Sequence, residues 1–150
     1  MAETFDQNGQ RLPDPGLVSY AHVIYALHAL AVLTGVLTTE SIAGRFVFGL
    51  PSIVAVIMNY ARRAEATGTW LESHFSWQIR TFWFALLWLA VTLLIGAPLT
   101  LVVIGVFVVV AGFALVGLWV VYRVVRGWLA LREARAMPMP SGAAVPRAHA

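Results

Sequence analysis

The chain has 150 residues, of which 60% are hydrophobic and only 11% are charged. A soluble domain carries about 25% charged residues, so this composition excludes an ordinary water-soluble fold and predicts helices that lie in lipid. The net charge of +3 comes from arginine alone, and the absence of cysteine excludes disulfides, thiolate metal sites and a cysteine nucleophile.

The amino-terminal segment is polar and contains two prolines, so we predict a disordered cytoplasmic tail over residues 1–16. The first membrane span is predicted over residues 17–37. An α-helix of this length reaches about 31 Å, which matches a bilayer core of about 30 Å.

The second span is predicted over residues 42–60 and contains Pro51. Proline removes a backbone donor and crowds the preceding turn, so we expect a kink at this position. Alternatively, the helix begins close to Pro51 and residues 42–50 lie in the membrane interface.

A polar connection over residues 61–76 precedes the third span. Within it, Thr69 and Glu72 have the spacing of a capping box, which predicts a helix that starts near Trp70. We predict that this helix lies in the interface before the third span. The alternative is that it continues directly into that span.

The third and fourth spans are predicted over residues 79–95 and 99–122, separated by a break at residues 96–98. Together they are too long for one crossing, so a helical hairpin is expected. A short basic helix over residues 128–135 and a disordered tail over residues 137–150 complete the chain. The predicted fold is an all-α integral membrane protein with four transmembrane helices over residues 17–135.

The arginines predict the orientation. Four spans place nine arginines beside the two termini and the connection at residues 61–78, against only Arg45 on the other side. Because cytoplasmic loops are rich in arginine, both termini are expected in the cytoplasm of a bacterial inner membrane. The expected interface anchors, which face anionic lipid headgroups, are Trp70, Trp77, Trp83, Arg62, Arg63, Arg123 and Arg126.

Polar residues within the spans are the candidates for a functional site. His22, Tyr25 and His28 share one broad face of the first span, and His74, Gln78 and Thr81 share a face near the start of the third. They indicate hydrogen bonds between helices or contact with a partner. For the histidines of the first span, the alternatives are a proton relay, an ion site or haem ligation. No metal site is predicted, because zinc needs three or four ligands.

Two further polar residues stand beside these faces. Asn59 ends the second span, and we predict a polar clasp in which its amide bonds that of Gln78. Arg80 is expected to extend towards lipid phosphates. In the fourth span, Gly105 and Gly112 lie two turns apart and predict close helix packing, whereas Gly117 lies on a different face.

The segment from Gly68 to Trp88 resembles a family of small bacterial four-span membrane proteins that is distantly related to the chloroplast inner-envelope import component. The likeness extends over residues 17–126 and rests on His74, on the Trp77-Gln78 pair, and on Pro51 and Asn59 in the second span. Many members have asparagine-phenylalanine-glutamine where this chain has Ser76-Trp77-Gln78. The resemblance implies a helical bundle and a role in moving or assembling proteins, and it implies no catalytic residue.

The sequence contains no paired carboxylates, nucleophile motif or phosphate loop, so we do not expect an enzyme, a cofactor or a nucleic-acid partner. The leading hypothesis is an accessory, assembly or scaffold component of a membrane complex, with a membrane-protein partner or further copies of itself. The alternatives are an oligomeric transport or protein-translocation component that uses the intramembrane histidines, and a haem-binding redox subunit.

Overall fold

The computed structural model describes residues 11–37 and 42–140, and its regular structure in these ranges is helical. Two 3-10 turns, Arg63–Ala66 and Thr100–Val102, accompany the α-helices. The helices are α1 (Pro15–Leu37), α2 (Ile42–Arg62), α3 (Leu71–Leu99) and α4 (Ile104–Arg132).

Three of these helices are long and apolar enough to cross a membrane, namely α1 over Pro15–Thr34 and the full lengths of α3 and α4. Both α3 and α4 have 29 residues and therefore reach about 43 Å, more than a bilayer core of about 30 Å requires. The composition thus predicts correctly that the chain is a helical membrane protein. The α2 helix contains 21 residues and continues through Pro51.

The predicted boundaries of the second hairpin are wrong at three places. No separate interfacial helix precedes the third span, because α3 runs without a break from Leu71. The chain does not reverse at residues 96–98 but at Val103, whose φ is 66°. The basic segment at residues 128–132 is the end of α4 rather than a helix of its own.

The helices form two hairpins, α1–α2 and α3–α4. They pack together through the first turns of α3 and the last turns of α4, and α1 lies against α4 while α2 lies against α3. The main core contains Leu17, Ile24, Tyr25, Leu71 and Phe75, among others. The turns of α3 and α4 that lead towards Val103 stay largely exposed, and we call residues 82–119 the distal hairpin.

Glycines allow the close contact within the α3–α4 hairpin. A methyl group at Gly112 would lie 2.3 Å from Thr92 Cγ2, and one at Gly96 would lie 2.4 Å from Val109 Cγ2. At Gly105 the nearest atoms would be backbone atoms of residues 96–100. The predicted packing role of Gly105 and Gly112 is therefore confirmed, and the space beside Gly117 is open.

Candidate functional site

The start of α3 is fixed by two side chains. The Thr69 hydroxyl accepts a hydrogen bond from the Leu71 amide at 3.2 Å, and the Glu72 carboxylate accepts one from the Gly68 amide at 2.9 Å. Both side chains of the predicted capping box thus satisfy free amides. However, Glu72 reaches Gly68 rather than Thr69, because a turn with φ of 77° at Gly68 presents that amide. This start places His74 in the first turn of α3.

His74 is fully buried and joins three parts of the chain. Its Nε2 lies 2.8 Å from the Arg135 carbonyl oxygen, and its Nδ1 lies 3.1 Å from the Tyr25 hydroxyl. A carbonyl oxygen can only accept, so Nε2 carries the proton of the neutral ring and Nδ1 accepts from Tyr25. The imidazole therefore connects α1, α3 and the segment that follows α4.

Tyr25 can reach His74 only because α4 has a glycine beside it. A methyl group at Gly127 would lie 2.4 Å from the Tyr25 oxygen and 2.7 Å from its Cε1. Sequence reasoning missed Gly127. The available signal was a glycine within a helix that does not end there, which often marks a close approach of two elements.

The two histidines of α1 also bond other helices. His22 Nδ1 accepts a hydrogen bond from Trp128 Nε1 of α4 at 3.0 Å. His28 Nδ1 lies 3.4 Å from the Ser52 hydroxyl of α2, while its Nε2 is buried without a partner among the described residues. With Tyr25, the face predicted on α1 therefore contacts each of the other three helices.

The predicted clasp between Asn59 and Gln78 is wrong. Both side chains are buried, but the Asn59 amide donates to the Ala55 carbonyl at 3.2 Å, and the Gln78 amide lies 3.5 Å from the Ala21 carbonyl. Neither amide oxygen has a hydrogen-bond partner among the described residues. Asn59 therefore bonds a carbonyl of its own helix four residues back, whereas Gln78 reaches a carbonyl of α1.

The segment after α4 packs against α3, and we call residues 135–140 the C-terminal strap. The Met137 amide donates to the Ser73 hydroxyl at 2.8 Å, and Arg80 donates to the Pro138 carbonyl at 2.7 Å. Together with His74, three side chains of α3 thus bond the strap backbone. A disordered tail was predicted from residue 137, and its residues 141–150 lie outside the described ranges, as do residues 1–10 of the amino-terminal tail.

Arginines surround the indole ring of Trp77, which is buried between α3 and α4. The guanidinium carbon of Arg123 lies 3.6 Å from the ring centroid, and those of Arg126 and Arg80 lie 5.7 and 5.9 Å from it. Arg123 also donates to the Thr81 hydroxyl at 2.7 Å, and the Trp77 indole donates to the Arg123 carbonyl at 3.1 Å. This group, which we call the arginine cluster, fastens the end of α4 to α3.

The remaining predicted anchors lie at the same end of the hairpins. Trp83 is half-exposed and donates to the Tyr60 hydroxyl at 3.1 Å, and Arg63 lies 5.5 Å from the ring of Tyr60. Arg62 lies 4.9 Å from the ring of Tyr20 and is paired with Glu65. Trp70, partly buried, has its ring 5.6 Å from that of His74 in an edge-to-face contact.

The buried polar side chains described above hold helices together. Within the described ranges, no three histidine or carboxylate side chains are placed to hold a metal ion. Two open grooves on the outer side of α4 have volumes of about 700 and 430 Å³; the first is lined by His22, Trp128 and Arg132, and the second by Tyr122, Arg126 and Glu133, among others.

Comparisons of the chain with protein-family models, with curated proteins and with solved structures give no match.

Proposed function

We propose that this protein is a non-catalytic scaffold or assembly component of a membrane complex. In this proposal it crosses the bacterial inner membrane four times, with both termini in the cytoplasm. The observation that carries the proposal is the contrast between two regions. One end of the α3–α4 hairpin is joined to α1 by buried polar side chains and packs against α2, whereas the distal hairpin presents large apolar side chains on its outer faces.

The four-span arrangement is supported by helix length and by charge. The α2 helix has 21 residues, or about 31 Å, which is enough for a crossing alongside the three apolar helices. The end where hydrogen bonds join the two hairpins also contains eight of the nine arginines among the described residues. An arginine-rich side is the cytoplasmic side in bacterial inner membranes.

The outer face of α4 is suited to a partner helix. Apolar exposure alone is explained by lipid, so a further feature is needed to indicate a protein. A methyl group added at Gly117 would have no atom of this chain within 4 Å, and Ala114 on the preceding turn is exposed. Small residues on a membrane helix allow a second helix to approach closely, which is how transmembrane helices associate in the absence of a hydrophobic driving force.

The proposal is tested by crosslinking in the native membrane. A photo-reactive side chain at Leu118, which is 69% exposed beside Gly117, should capture one membrane protein in constant ratio after extraction in mild detergent. The same group at Arg63, in the polar connection, is the control. Gly117→Leu should abolish the crosslink by filling the gap. Recovery of uncrosslinked monomer, or equal crosslinking from both positions, would refute the proposal.

An oligomeric transport component is the second candidate, because the Nε2 atom of His28 is buried without a hydrogen-bond partner among the described residues. Such a component should crosslink to copies of itself from Leu118. It should also support solute flux in liposomes that is lost in His28→Ala. Flux that is absent, or unchanged in this variant, would exclude His28 from such a role.

A further inference from the structure

The arginine cluster has three positive charges close together without a compensating carboxylate among the described residues. The ion pairs of the described residues include Arg62 with Glu65 and Arg135 with Glu133, and neither Arg80, Arg123 nor Arg126 takes part in one. All three guanidinium carbons lie within 6 Å of the Trp77 ring. Three like charges held together in this way create a site that favours an anion.

The cluster retains hydrogen-bond donors for such an anion. Each guanidinium has five N–H groups. Arg126 donates from Nη1 to the Tyr122 hydroxyl at 2.8 Å. Arg80 donates to a backbone carbonyl, and Arg123 donates to the Thr81 hydroxyl. The Tyr122 oxygen accepts from Arg126, so its own proton is free to donate. Guanidinium and phenol groups together match the oxygens of a phosphate.

The depth of the cluster coincides with the expected headgroup level. A bilayer core of about 30 Å corresponds to about 20 helical residues. Counted from the reversal at Val103, that distance ends near Arg80 on α3 and near Arg123 on α4. Arginines at this depth meet lipid phosphates, and the helix turns beyond them extend past the hydrocarbon.

An apolar groove adjoins the charges. The groove of about 430 Å³ is lined by Val121, Tyr122, Val125, Arg126 and Leu129, with Glu133 and Arg135 at its polar end. The Glu133 carboxylate lies 3.0 Å from Arg135 and is therefore already compensated. A basic site that opens onto an apolar surface fits a molecule with an anionic head and an aliphatic chain better than it fits a free anion.

We propose that Arg80, Arg123 and Arg126 form a binding site for the phosphate of an anionic phospholipid, whose acyl chain leaves the groove at its Val121 end, on the side of the hydrocarbon core. Arg126 and Tyr122 contact the phosphate from the exposed side. Arg123, stacked on Trp77, holds the positive charge at a fixed position. The phosphate contacts require no partner helix at Gly117, which lies nine residues before Arg126 in α4.

The experiment measures lipid binding to the full chain in detergent by native mass spectrometry. The probes are phosphatidylglycerol, phosphatidylcholine and inorganic phosphate. Phosphatidylglycerol should bind at least tenfold more tightly than phosphatidylcholine. Arg126→Gln should weaken phosphatidylglycerol binding about tenfold, the effect of losing one charge-assisted hydrogen bond. Arg132→Gln removes the same charge from the last turn of α4, outside the cluster, and should leave binding unchanged.

Three results would overturn the proposal. Equal loss in Arg126→Gln and Arg132→Gln would mean that only overall charge attracts the lipid. Equal binding of the two lipids would mean that there is no anion site. Displacement of phosphatidylglycerol by millimolar inorganic phosphate would mean that the site takes the free anion. Arg126 is exposed and makes one side-chain hydrogen bond, so unchanged helical circular dichroism is expected in its variant. Tyr122→Phe should give a second, smaller loss of binding.

Discussion

Gly127 and Gly117 offer a matched test of how α1 packs on α4. Both glycines lie within α4, so replacement by alanine gives each the same gain in helix propensity, about 1 kcal/mol. At Gly117 the new methyl group meets nothing within 4 Å. At Gly127 it would lie 2.4 Å from the Tyr25 oxygen and 2.8 Å from Cζ. The difference between the two variants therefore measures the clash alone.

The clash cannot be relieved by a small rotation of the tyrosine. Tyr25 is 1% exposed, and its hydroxyl donates to His74. Either α1 moves away from α4 or that hydrogen bond breaks. Overpacking of a filled core costs about 1–3 kcal/mol, so Gly127→Ala should have a free energy of unfolding lower than that of Gly117→Ala by this amount.

The assay is equilibrium unfolding in a mild detergent, followed by circular dichroism at increasing denaturant. A second variant checks the cause. Tyr25→Phe removes the hydroxyl that lies nearest the new methyl group, but it also removes the hydrogen bond to His74. It should therefore cost less stability in the Gly127→Ala background than in the Gly117→Ala background, where only the hydrogen bond is lost. If Gly127→Ala proves as stable as Gly117→Ala, the close contact between α1 and α4 does not exist and the reasoning fails.

Gln78→Leu should leave the free energy of unfolding unchanged or raise it slightly, because it removes a buried amide oxygen without a partner; a loss above about 1 kcal/mol, measured in the same assay, would contradict this. His74→Phe should lower it by about 2–4 kcal/mol, since two buried groups lose their partner, and a neutral result would count against the assigned bonds. Ser73→Ala should speed amide hydrogen exchange in the C-terminal strap, and unaltered exchange would show that this bond does not hold it. The hydrogen bond from Arg62 holds the pKa of Glu65 below its ordinary value of 4.5; its stabilising contribution is therefore present above pH 4.5 and lost as the pH falls through the lowered pKa. Carboxylate chemical shifts should show this pKa rise in Arg62→Gln, and equal titration in both proteins would refute the pairing.

The apolar runs by themselves determined the helices of the first hairpin. The predicted first span, residues 17–37, matches α1, and the predicted start of the second matches α2. A long apolar stretch bounded by polar residues can hardly form anything other than a helix, because backbone polar groups in lipid must bond within their own helix. The buried face formed by His74, Gln78 and Thr81 followed from helical spacing in the same way.

Local signals misplaced the second hairpin. Gly96 and Pro98 suggested a break, but α3 continues to Leu99 because Pro98 falls in its last turn. Its missing amide and its ring affect the turn before it, and α3 ends one residue after it. Gly96 serves instead to admit Val109 of α4. Whether a glycine ends a helix or allows two helices to touch depends on the neighbour, which the local sequence does not contain.

The partners of the buried polar groups were decided only by the tertiary structure. Spacing identified His74 and Tyr25 as candidates. Their hydrogen bond, however, requires α1 to pack beside α3 and Gly127 of α4 to leave room for the tyrosine ring. The same holds for Arg135, whose carbonyl oxygen accepts a hydrogen bond from the other imidazole nitrogen of His74. A hydrogen bond depends on distances of a few tenths of an ångström. Helical periodicity fixes which side of a helix a residue occupies, whereas the packing of whole hairpins fixes what it touches.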